Sequence, residues 1–132
     1  LKKLDPQLQE IITIADSEKS AYEGVYAYLE KYQQNNIEKI EKNINRLKEE
    51  WALVGETIIK SLEFLYQNKF PFENVTVYLT TNYIFPYSYE QRYFYANIEY
   101  LMPQLGTAKH ELNHFMFYFY YPKLKEQLKK LV

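Results

Sequence analysis

Both histidines of this 132-residue chain fall within five positions, as His110-Glu111-Leu112-Asn113-His114. On a helix, two imidazoles four apart share one face about a turn from each other, close enough to hold one divalent ion together. Zn²⁺ accepts neutral imidazole nitrogens, and a catalytic zinc keeps one position for water. Glu111 is rotated by about 100° from His110 and by about 60° from His114. A carboxylate there can lean over a metal-held water and take its proton. Zinc lowers the pKa of that water to about 7, so the base works at neutral pH. The three residues describe a centre for hydrolysis, most simply of a peptide bond. The competing reading is a buried helix whose histidines are held by hydrogen bonds.

Residues 107–116, Thr-Ala-Lys-His-Glu-Leu-Asn-His-Phe-Met, resemble the extended signature of the zincin metallopeptidases. That signature has uncharged residues between the histidines, then an uncharged and a hydrophobic one after the second, and Leu112, Asn113, Phe115 and Met116 comply. The resemblance implies zinc ligation by His110 and His114, and general-base work by Glu111. It also implies a third protein ligand. The metzincin branch has a Gly and then a His at fixed spacing, where this chain has Phe117 and Tyr120. The resemblance therefore points to the gluzincin branch, whose third ligand is a Glu on a later helix. Glu126 is the only acid downstream of His114, and on a straight helix it would lie about 18 Å along the axis from it. The third ligand is expected beyond Val132, with Glu126 as the candidate inside the chain.

Other residues could serve such a centre. Tyr118 and Tyr121 continue the histidine face by helical spacing, and Tyr95 could overhang it from a strand. Each is a candidate donor to the oxyanion or contact to substrate, with packing as the plainer role. Glu99 is a candidate acceptor for the second N–H of a ligand imidazole, or simply an exposed strand carboxylate.

The elements that must place these residues are legible in outline. Asp5-Pro6 reads as a helix start, with an apolar stripe of Leu8, Ile11, Ile12 and Ala15. A second helix is expected over 17–33, with Tyr22, Val25, Tyr26, Leu29 and Tyr32 buried. Gln33 to Asn36 reads as a turn. In the third helix, Ile37, Ile40, Ile44, Leu47, Trp51, Val54 and Ile58 alternate spacings of three and four. That seam predicts a hairpin packed on the preceding helix, or assembly with another chain. Residues 75–81 and 92–100 read as strands and 83–89 as a loop. Met102-Pro103 ends the second strand, and the motif helix follows Gly106 and runs to about Tyr121 as a buried helix. Pro122 to Val132 is a basic amphipathic segment.

The fold expected is α+β within a single domain: a helical hairpin region over 1–70, then a zincin-like catalytic half over 71–132, minimal or truncated, with a small antiparallel or mixed sheet and the buried motif helix. The resemblance assigns the strand at 92–100 to extended substrate at a sheet edge. The function expected is that of a zinc-dependent metallopeptidase acting on peptide or protein. The alternatives are a zincin-like binding or regulatory module without turnover, and a helical interaction protein assembling through the 37–65 seam.

Bulk composition narrows the partners. A formal charge of −1 gives no electrostatic reason for nucleic acid or an anionic membrane. The chain has no cysteine, which excludes thiolate sites and decides nothing about compartment. No apolar run reaches the eighteen or so residues of a membrane span. Fifteen Tyr and eight Phe suit clefts and half-buried faces, where core and rim packing is the expected use and base or sugar stacking the other.

Overall fold

In a computed structural model the described residues are 5–82, 84–99 and 101–131, with backbone only for 101–104 and 123–125. Tyr83 and Tyr100 of the predicted loop and strand lie outside them. The architecture is mixed α+β and mostly helical, with five helices and one three-stranded mixed sheet among the described residues.

Helix α1 spans Pro6–Ile14, with Pro6 in the first turn and the Asp5 carboxylate accepting the Gln7 N–H at 2.9 Å. Asp5 also accepts the Tyr28 hydroxyl at 2.8 Å, which ties α1 to α2 (Glu18–Asn35). The two helices approach closely at Gly24, where a Cβ would stand 2.7 Å from an Ile11 methyl. A reciprocal box between Ser17 and Ser20 starts α2. The predicted turn at 33–36 shrinks to Asn36 alone, which caps the end of α2 and the start of α3 (Ile37–Tyr66). Gln67 closes α3 in the left-handed conformation, φ 52°.

The hairpin expectation is corrected here. No residue of α2 is buried, and Tyr22 and Tyr26 are exposed. Helix α3 packs mainly on α4 (Leu101–Tyr120), because α2 leans on α1 and leaves the first half of the seam uncovered. An open cleft of about 1210 Å³ remains there, with Leu29 of α2, Ile44, Leu47 and Trp51 of α3, and residues 77–79 in its lining.

Strands β1 (Thr76–Thr80), β2 (Tyr87–Ser88) and β3 (Tyr93–Asn97) make a sheet in the order β1-β3-β2. β1 runs parallel to β3 with Val77 opposite Phe94, and β2 runs antiparallel with Tyr87 opposite Phe94. The segment read as a loop therefore contains a short strand. Pro86 and Ser88 hide it in sequence, yet Pro86 needs no N–H at a strand entry, and its carbonyl accepts the Tyr95 N–H at 3.0 Å. β3 is the central strand with both edges paired, so it offers no open edge to a peptide; β1 and β2 are the outer strands.

The core lies between the sheet, α3 and α4, where Ile58, Phe94, Ala108, Leu112 and Phe115 pack together and Met116 is fully buried. Helix α4 starts at Leu101, earlier than expected, and contains Pro103 and Gly106. Pro103 falls in the first turn, where its missing N–H would have no partner. Burial of α4 is one-sided: Glu111, Leu112, Phe115 and Met116 are inside, while Lys109, His110 and Phe119 face solvent. Helix α5 (Pro122–Leu131) follows and contacts α4. No helix among the described residues is long and apolar enough to cross a membrane.

Candidate metal centre

The H-E-x-x-H residues occupy the middle of α4, well inside its hydrogen-bonded turns. The buried stripe Ala108, Leu112, Phe115 and Met116 sets the helix rotation against the sheet, and that rotation places both histidines together at the boundary with solvent. Their Nε2 atoms stand 3.0 Å apart, with the rings edge to face at 4.5 Å. His110 is exposed and His114 half-buried. Burial pushes the His114 pKa down, and His110 pushes it further. A lowered pKa keeps that imidazole neutral near pH 7, the form a metal requires.

Glu111 is buried, 5% exposed, and its Oε2 has no hydrogen-bond partner among the described residues. Burial raises its pKa, against the pull of neighbouring His110. Raising a carboxylate toward neutrality makes it a better proton acceptor from water while leaving it ionised at higher pH.

Two tyrosine rings pack against His114. Tyr87 of β2 stacks on its imidazole at 5.1 Å with planes 6° apart, and Tyr118 lies at 5.9 Å and 16°. The two tyrosine hydroxyls are hydrogen-bonded at 2.9 Å. Burial and that bond raise the Tyr87 pKa, so the phenol stays protonated. Tyr87 is the neighbour that sequence reasoning missed. Its signal was the alternation Tyr87-Ser88-Tyr89 beside Pro86, too short to stand out as a strand.

The remaining candidates divide. Tyr118 is at the histidines. Tyr121 lies two turns beyond His114, about 10 Å along the axis, and its ring leans on Tyr66 and Phe117. Tyr95 alternates with Phe94 along β3; Phe94 faces α4, so Tyr95 takes the opposite sheet face, with Tyr78 and Tyr93. Glu99 pairs with Lys39 of α3 at 2.7 Å, because the chain leaving β3 passes that helix. Glu126 is exposed and pairs with Lys129 at 3.6 Å.

Two tests bear on whether these residues fit zinc. Two ligand nitrogens on a tetrahedral zinc are separated by about 3.3 to 3.4 Å, given Zn–N bonds of about 2.0 to 2.1 Å. The observed 3.0 Å asks only a few tenths of an ångström of the rings. The buried Glu111 oxygen without a partner beside them is the orphan that a metal-held water would satisfy. The pair and the base fit. No group of three or more His, Cys, Asp or Glu placed to hold a metal occurs among the described residues, Glu126 included.

No family model, curated protein or solved structure matches this chain.

Proposed function

We propose that the chain carries the two-histidine half of a zinc centre and hydrolyses peptide bonds. The observation that supports this best is the convergence of the His110 and His114 Nε2 atoms at 3.0 Å beside the unpartnered, buried Glu111 carboxylate. Bound zinc would supply a Lewis acid and a water of lowered pKa. His110 and His114 would hold the ion. Glu111 would take the proton from the attacking water and return it to the departing amine. Tyr118, beside His114, is the candidate donor to the oxyanion. A third protein ligand would have to come from outside the described residues.

Elemental analysis tests the reading. The wild type should carry about one zinc per chain, and His114→Ala should carry none. Wild-type protein without metal after zinc loading and desalting sinks it.

Two other readings have an observation each. The lack of a third ligand among the described residues favours a zinc-binding module without turnover, recognised by stoichiometric zinc and no cleavage of any peptide offered. The cleft along the first half of the α3 seam favours assembly through that helix. Sedimentation showing a concentration-dependent dimer that Leu47→Glu dissociates, with no zinc bound, would identify it.

A further inference from the structure

The half-strand β2 begins with Tyr87, which packs on the core cluster beside the motif helix. Opposite Phe94 in the register, Tyr87 takes the sheet face that packs on α4. Its ring lies flat on the His114 imidazole, at 5.1 Å and 6°. Tyr118, one turn after His114, lies nearly parallel to both rings, 5.9 Å from the imidazole and 6.3 Å from Tyr87. The hydroxyl–hydroxyl bond of 2.9 Å joins the two tyrosines, one from the sheet and one from the helix itself. A free histidine side chain on a helix samples several χ1 and χ2 wells. Both tyrosines pack against one side of the imidazole, in contacts that favour the orientation setting its Nε2 toward His110.

We infer that Tyr87, tethered by Tyr118, is a positioning residue that preorders His114 as a metal ligand. The inference rests on the zinc reading above and deepens it. The residues that orient a ligand imidazole are usually hydrogen-bond acceptors; here an aromatic face does that work. Order imposed before binding lowers the entropic cost of capturing the ion. Tyr87 touches neither ion nor substrate in this role, and it acts through His114 alone.

The experiment is a titration of the purified chain with Co²⁺ alone, followed by visible absorption, with Zn²⁺ competition giving the zinc Kd. Wild type, Tyr87→Phe, Tyr87→Leu and Tyr118→Phe are compared, each with a denaturant midpoint. A wild type that binds neither ion refutes the zinc reading itself, which separates that failure from failure of the present inference. Given wild-type binding, Tyr87→Leu should weaken zinc by about 10- to 100-fold and alter the cobalt spectrum. Tyr87→Phe keeps the stack and should bind zinc far more tightly than Tyr87→Leu. Leu binding as tightly as wild type, or Phe as weakly as Leu, overturns the inference. Where Tyr87→Leu does not fold, the phenylalanine variants decide. Tyr87→Phe and Tyr118→Phe cut the same hydroxyl bond, so the double variant should bind no more weakly than the weaker single one; additive losses overturn the tether.

Discussion

The Tyr66 hydroxyl, on the last residue of α3, donates to the Asn113 side-chain oxygen at 2.8 Å across 47 positions of sequence. Asn113 precedes His114, so this bond fixes the second histidine's turn of α4 to the end of the longest helix. Tyr66 is half-buried, and burial raises its pKa, so the phenol remains a donor through neutral pH.

Tyr66→Phe removes that donor from the Asn113 side-chain oxygen. A loss of about 1 kcal/mol in unfolding free energy is expected, read as a lower denaturant midpoint with unchanged slope. An unchanged midpoint would show that water replaces the bond at no cost.

Glu111→Gln tests the base without disturbing the ligands. The amide has nearly the carboxylate's shape but cannot accept the proton. Zinc content should stay at the wild-type level while peptide hydrolysis falls by about 10²- to 10⁴-fold. Turnover at the wild-type rate removes Glu111 from the mechanism.

Asp5 supplies a pH dependence at the other end of the chain. Burial would raise its pKa, but hydrogen bonds from Tyr28 and the Gln7 N–H outweigh it and hold the folded value below 3.8. A carboxyl whose folded pKa is depressed contributes stability above its unfolded pKa, and loses it as pH falls through the folded value. Acid titration should therefore show stability declining from about pH 4 downward. Asp5→Asn caps a helix comparably and does not titrate, so its decline over that range should be shallower. Equal slopes for the two proteins would count against the assignment.

Phe115 tests the core under the site. It is fully buried, edge-on to Phe72 and Tyr89 and tilted against Tyr87. Phe115→Ala should destabilise by about 3 to 5 kcal/mol, measured by chemical denaturation. Because Tyr87 rests on this ring, the same variant should loosen His114, and zinc affinity should fall even at temperatures where the fold persists.

The local chemistry of the chain reads directly from its residues. Asp5-Pro6 starts α1, and the spacing of three and four in residues 37–58 makes α3. The branched and aromatic run at 76–80 makes β1, and His110 and His114 share a helix face. Each follows from backbone geometry and neighbours within four positions, which act wherever the segment finally lies. The tertiary structure alone decided which surfaces meet. It gave α3 to α4 rather than α2, made β3 a central strand and turned Tyr95 away from the histidines. It also drew Glu99 to Lys39 and laid Tyr87 on His114. Those outcomes depend on strand register and on helix rotation against the sheet, set by burying Phe94, Leu112 and Phe115 together. Contacts between residues far apart in sequence are fixed only when that shared core forms.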